Sequence, residues 1–122
     1  MSERLTIAQV VLLSLYALGM AGGQLLFKSA ALRSPPAESF AERLLGLAGN
    51  VSFLLAISLY FALSLLWVWV LSFTPLSRAY PFVALAFAVT PLLAALVFGE
   101  PLSTRLLVGL AVILGGLVLV GG

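Results

Sequence analysis

The stretch Gly19 to Lys28 reads GMAGGQLLFK and closes a long apolar run. Three of its first five residues are glycines, and small residues on a helix allow a second helix to approach closely. A glutamine and a lysine follow within the next five positions, and hydrocarbon does not accept such groups without a partner. We therefore expect a helix-packing face at Gly19 and Gly23 and part of a substrate-binding site at Gln24 and Lys28.

The composition is that of an integral membrane protein. Of the 122 residues, 63% are hydrophobic and 8% are charged, whereas a soluble domain carries about 25% charged residues. So few charges cannot cover a surface that faces water, and we expect the lipid bilayer as the surroundings. The six basic and four acidic residues are also too few and too scattered for a nucleic-acid interface. We therefore expect no nucleic acid as a partner.

Four apolar segments are long enough to cross a bilayer as helices, and Asn50 is the expected cap of the second. Between the first two, Phe40, Leu44 and Leu47 share one helical face, with Ser34 as the expected cap. This pattern predicts a short amphipathic interfacial helix at about 36–48. The expected fold class is an all-α membrane protein, a single transmembrane domain with spans at about 5–27, 51–73, 77–98 and 106–120.

Proline and glycine mark the later spans. Pro91 lies in the middle of the third span and removes one backbone donor, which predicts a hinge or kink. Gly109, Gly115 and Gly116 form a small-residue stripe in the fourth span. Such a stripe has no use toward lipid and favours helix packing between subunits. We expect a homodimer, or a heterodimer with a similar small subunit.

Further polar side chains lie near the predicted membrane edges. Arg78 and Tyr80 flank the start of the third span, and Glu100 follows its end. The structural interpretation makes Arg78 a headgroup anchor and Lys28 a snorkelling lysine. It also pairs Glu100 with Arg105. The functional interpretation makes Lys28 the cation for an anionic group and gives Arg78, Tyr80 and Glu100 contacts to a substrate.

The chemistry-bearing residues point away from catalysis. The chain contains no histidine, cysteine or aspartate, and no phosphate-binding or dinucleotide-binding fingerprint. We therefore expect no enzyme activity, no metal and no other cofactor. Three alternatives remain: a carrier for a substrate with its own lipid tail, a small exporter of cationic or polar metabolites that uses Glu100, and a non-transporting membrane subunit.

Several short motifs resemble a known superfamily. PLSRAYPF opens the third span, GEP closes it, and GLAVILGG lies in the fourth span. These motifs are similar to those of the small members of the drug/metabolite transporter superfamily, of the EamA and small multidrug resistance type. The small multidrug resistance exporters carry a glutamate in the middle of the first span, where Met20 stands here. This departure argues against proton-coupled export of cationic drugs.

The nearer resemblance is to the small subunits of the aminoarabinose-phosphoundecaprenol flippase. It is carried by AGGQLLFKSA at 21–30, RAYPF at 78–82 and EPLS at 100–103. The resemblance implies flipping of a lipid-linked amino sugar, carried on a polyprenyl phosphate, across the bacterial inner membrane for lipid A modification. It would give Lys28 a phosphate to bind and Glu100 an amino sugar to contact.

Overall fold

The computed structural model describes residues 5–36 and 38–121. Four of its segments are long and apolar enough to cross a membrane: Ile7–Arg33, Val51–Leu71, Leu76–Phe98 and Thr104–Gly121. A short helix lies between the first two. The predicted all-α fold is thus confirmed for the described residues. The elements are α1 (Ile7–Arg33), α2 (Phe40–Ala48), α3 (Val51–Leu71), α4 (Leu76–Ala79), a 3-10 turn (Tyr80–Phe82), α5 (Val83–Phe98) and α6 (Thr104–Gly121).

Helix α1 continues beyond the predicted span at 5–27 and ends at Arg33. The residues after 27 include alanines, a leucine and an arginine, which are good helix formers, so nothing local stops the helix earlier. Ser34 then adopts an extended conformation because it precedes Pro35. The membrane-crossing part of α1 and the helix itself therefore need not end together.

The short helix α2 begins later than the sequence predicted. Its cap is Ser39, whose hydroxyl accepts from the backbone N–H of Glu42 at 3.2 Å, and the helix starts at Phe40 instead of near residue 36. Ser34, the expected cap, donates its hydroxyl to the carbonyl of Ala30 at 2.8 Å. It therefore helps to close α1 and takes no part in starting α2.

Asn50 links the start of α3 to the end of α1. Its Oδ1 accepts from the backbone N–H of Phe53 at 3.1 Å, which confirms the expected cap. Its Nδ2 donates to the Ala30 carbonyl, also at 3.1 Å. Next to it, the hydroxyls of Ser29 and Ser52 lie 3.2 Å apart. These polar bonds fix the two helix ends side by side.

Helix α1 is the central element, because it packs against both α3 and α5, while α6 packs on α5. Leu13, Ala17 and Ala21 are fully buried along one face of α1, at the four-residue spacing that aligns side chains on a helix. Among its described residues α6 buries Leu110 alone. The bundle thus has a well-covered first helix and a largely open last one.

The bundle has two polar edges. The "Lys28 edge" holds the end of α1, the start of α3, the end of α5 and the start of α6. The "Arg78 edge" holds the start of α1, the end of α3, the start of α5 and the end of α6. Helices α1 and α5 therefore run in the same direction.

The glycines of α1 differ in what surrounds them. A Cβ added at Gly19 would lie 2.9 Å from Cδ2 of Leu63, and one at Gly23 would lie 2.5 Å from Cε2 of Tyr60. A Cβ at Gly22 would meet no heavy atom of the described residues within 4 Å. Gly19 and Gly23 therefore lie where α3 approaches α1 most tightly.

The other marked positions face open space or continue a helix. A Cβ at Gly109, Gly115 or Gly116 would have no described heavy atom within 4 Å, so this stripe faces outward from the single chain. Helix α5 continues through Pro91 from Val83 to Phe98. A hinge at Pro91 and a subunit contact at the stripe both stay predictions.

Gly23→Ala is expected to destabilise the protein, whereas Gly22→Ala is not. The Tyr60 ring is held by two hydrogen bonds, so it cannot yield to the new methyl group, and we expect a loss of about 1–3 kcal/mol of unfolding free energy. The matched Gly22→Ala should be neutral or stabilise by up to about 1 kcal/mol. Unfolding of the purified protein in mixed micelles measures both, and equal effects would contradict this packing.

Candidate functional site

Lys28 and Glu100 form an ion pair at the Lys28 edge. Nζ of Lys28 lies 3.6 Å from Oε2 of Glu100. Gly99 directs the carboxylate, since it ends α5 with a φ of 69°, a left-handed conformation that glycine adopts without strain. Glu100 thus pairs with Lys28 and not with Arg105, its expected partner in the structural interpretation.

The ion pair remains open to a ligand. The side chains of Lys28 and Glu100 are 47% and 43% exposed. An exposed ion pair contributes about 0–1 kcal/mol, because water and mobile ions screen it and two long side chains lose freedom. A phosphate can therefore compete for the lysine and an ammonium for the glutamate without a large energetic cost.

Gln24 lies one helical turn before Lys28 and is bound by Tyr60 of α3. Nε2 of Gln24 donates to Oη of Tyr60 at 2.7 Å, and Oη donates to the carbonyl of Met20 at 2.9 Å. The Tyr60 ring also stacks on Phe27, with centroids 5.3 Å apart. The partner of Gln24 inside the bundle is therefore a tyrosine from the neighbouring helix.

Tyr60 is a site residue that sequence analysis missed. A signal was present, because a glutamine within an apolar span needs a hydrogen-bond partner and tyrosine carries a hydroxyl on an apolar ring. The sequence does not show which helix faces Gln24, however. The serines of the same span gave no better guide, since Ser58 and Ser64 bond carbonyls of their own helix at 2.9 and 2.8 Å.

Arg78 and Tyr80 lie at the opposite edge. Nη1 of Arg78 donates to the carbonyl of Val120 at 2.8 Å. The Tyr80 ring meets Trp67 edge-on at 6.4 Å, and Trp67 stacks on Tyr16 of α1 at 4.7 Å. Tyr16 and Lys28 are twelve residues apart on one helix, or about 18 Å.

The predicted substrate contacts therefore form two groups. Gln24, Lys28 and Glu100 come together at the Lys28 edge, while Arg78 and Tyr80 are a bundle length away. Within residues 5–36 and 38–121, no group of acidic, histidine or cysteine side chains could hold a metal ion. A surface hollow of about 280 Å³ lies at the same edge as Lys28, but its lining comes from Arg33, Asn50 and neighbouring residues.

Comparison with known proteins found curated relatives among bacterial flippase subunits. No protein-family model and no solved structure matches the chain. The chain is 41% identical over 58 residues to the probable 4-amino-4-deoxy-L-arabinose-phosphoundecaprenol flippase subunit ArnE of Enterobacter sp. (strain 638). The aligned residues are 48% of this chain and 54% of that protein. It is 39% identical over 57 residues to the subunit of the same name from Pseudomonas fluorescens (strain Pf0-1). This alignment covers 47% of this chain and 50% of that protein.

A subunit with a different letter in its name, ArnF, also matches. The chain is 48% identical over 64 residues to the probable 4-amino-4-deoxy-L-arabinose-phosphoundecaprenol flippase subunit ArnF of Aeromonas salmonicida (strain A449). This alignment covers 50% of this chain and 43% of that protein. The chain thus spans about half the length of the curated relatives it matches. These relatives confirm the predicted resemblance to flippase subunits, which are transport proteins and not enzymes. The four membrane-length helices and these relatives together identify the chain as a multi-pass protein of the bacterial inner membrane.

Proposed function

We propose that the chain is a flippase subunit that moves a polyprenyl-phosphate-linked amino sugar across the bacterial inner membrane, in the service of lipid A modification. The observation that carries this proposal is the half-exposed ion pair of Lys28 and Glu100 at one edge of an apolar bundle. An ammonium beside a carboxylate complements a ligand that carries both a phosphate and an amine. The names of the relatives describe such a ligand.

The ion pair supplies a physical route for the head group. The phosphate of the lipid binds Lys28, and the ammonium of the sugar binds Glu100, so that one internal pair is exchanged for two pairs with the ligand. No charge is then left alone in a region of low dielectric, which is what makes charges costly there. The lipid tail stays in the bilayer throughout, and only the head group passes the bundle.

Two further parts of the proposal concern the superfamily of the chain and its partner subunit. We assign the chain to the drug/metabolite transporter superfamily on the order and spacing of its motifs. Its partner is a second copy or a similar small subunit, and the names ArnE and ArnF describe two such subunits. The open stripe of Gly109, Gly115 and Gly116 offers the contact, and Pro91 offers a place to bend.

Lys28→Ala is expected to weaken binding of a polyprenyl phosphate about tenfold or more, because a charged hydrogen bond to the phosphate is lost. Native mass spectrometry of the protein from a mild detergent measures the retained lipid and the oligomeric state together. The matched control is Arg105→Ala, which removes an exposed basic side chain at the same edge and should retain the lipid.

The site assignment fails if Lys28→Ala and Gln24→Ala both leave lipid binding and translocation at the level of the unmodified protein. A dimer without lipid that releases protons when cations are added, and loses this release in Glu100→Gln, would favour a small-metabolite exporter. A chain that never transports and always copurifies with an unlike, larger protein would favour a non-transporting subunit.

Glu100→Gln is expected to strengthen binding of bare polyprenyl phosphate about two- to fivefold, since it removes the carboxylate that competes with the phosphate for Lys28. The free energy of unfolding should change by less than about 1 kcal/mol, because the pair is exposed. Titration of lipid into detergent-solubilised protein at low salt measures the affinity, with Glu38→Gln of the first loop as the matched control. Weaker binding in Glu100→Gln would contradict competition between the two groups.

A further inference from the structure

A hydrogen-bond chain with a fixed direction joins α3 to α1 one turn below Lys28. Oη of Tyr60 lies 2.9 Å from the carbonyl oxygen of Met20 and 2.7 Å from Gln24. A carbonyl oxygen only accepts, so the single hydroxyl proton of Tyr60 is directed to Met20. The atom of Gln24 that meets Oη must then donate. The Met20 carbonyl thus requires that Gln24 turn its Nε2 toward Tyr60.

The tyrosine that imposes this direction is held in place. Its ring covers Gly23, where an added Cβ would lie 2.5 Å from Cε2. The ring also stacks on Phe27 at a centroid distance of 5.3 Å and an interplanar angle of 15°. Because the Tyr60 hydroxyl also accepts one hydrogen bond and donates another, Tyr60 has little freedom to turn away from Gln24.

The consequence concerns Oε1, the other polar atom of the Gln24 carboxamide. Because Nε2 is turned to Tyr60, Oε1 of Gln24 receives no hydrogen bond from any described residue, and the side chain is exposed. A carbonyl oxygen at membrane depth without a donor is unfavourable until something donates to it. Along the helix axis, residue Gln24 lies about 6 Å from residue Lys28, on the same face. The site therefore offers a hydrogen-bond acceptor one turn deeper than its cation.

We infer that Tyr60 is a positioning residue that holds Gln24 so that Oε1 accepts a hydrogen bond from a hydroxyl or ammonium of the substrate's sugar while Lys28 binds its phosphate. This inference rests on the proposed function and adds a basis for selectivity to it. A polyprenyl phosphate without a sugar has no donor to offer Oε1. A site that provides a fixed acceptor disfavours the ligand that lacks the matching donor.

The test compares two lipids on the purified chain. One is 4-amino-4-deoxy-L-arabinose-phosphoundecaprenol, the lipid in the names of the relatives, and the other is bare undecaprenyl phosphate. Tyr60→Phe keeps the ring over Gly23 and removes the hydroxyl. We expect it to weaken binding of the sugar-bearing lipid about three- to tenfold and to leave binding of the bare phosphate unchanged. The matched control is Tyr16→Phe, which removes a tyrosine hydroxyl elsewhere on α1 and should change neither affinity.

A double-mutant cycle separates positioning from a structural role. If Tyr60 acts through Gln24, Tyr60→Phe causes no further loss in a Gln24→Leu background. The inference is overturned if the two losses add, or if Tyr60→Phe weakens both lipids equally. In either case the proposed function stands as long as Lys28→Ala weakens the binding of both lipids. If Lys28→Ala weakens neither lipid, or the unmodified chain binds neither, the proposed function fails and the inference fails with it.

Discussion

The close approach of α3 to α1 at Gly23 is the constraint on which the rest of the site depends. Within a bilayer, burial of apolar surface gives little preference for one helix neighbour over another, because the lipid tails are equally apolar. Close packing and polar contacts must select the neighbour. Gly23 leaves room for the Tyr60 ring, and this approach lets the tyrosine hydroxyl reach both the backbone and the glutamine of α1. One missing side chain thus permits two interhelical hydrogen bonds.

The central position of α1 explains how so short a chain can build a polar site. Since α1 contacts α3 on one side and α5 on another, residues of both neighbours can meet its last turns. Tyr60 comes from α3, while Glu100 comes from the loop that follows α5. The two contributions differ in kind: the tyrosine makes two short hydrogen bonds and its ring packs on α1, whereas the ion pair is half exposed and easily exchanged. A fixed part and an exchangeable part lie within one helical turn of each other.

The residues that sequence analysis grouped as one site illustrate where such reasoning stops. Arg78 and Tyr80 are charged or polar residues near a predicted membrane edge, as Lys28 and Glu100 are, and composition alone cannot tell the two edges apart. The alternation of helix direction decides it: the start of α5 lies beside the start of α1, and its end lies beside the end of α1. The partner of Glu100 was misplaced for a related reason. Arg105 is near in sequence, but the direction set by Gly99 and the neighbouring α1 bring Lys28 to the carboxylate.

The sequence by itself determined the class of the protein, its four membrane-length helices and some of their caps, such as Asn50. These features depend on apolar length and on hydrogen bonds within a few residues, which the order of amino acids contains directly. Local chemistry also limited the candidate substrate contacts to Gln24, Lys28, Arg78, Tyr80 and Glu100, because few polar groups lie near these spans. Only the tertiary structure decided that Tyr60 binds Gln24 and that Lys28 pairs with Glu100. The lipid-facing and buried sides of these helices are equally apolar, so their hydropathy pattern carries no information on which helices are neighbours.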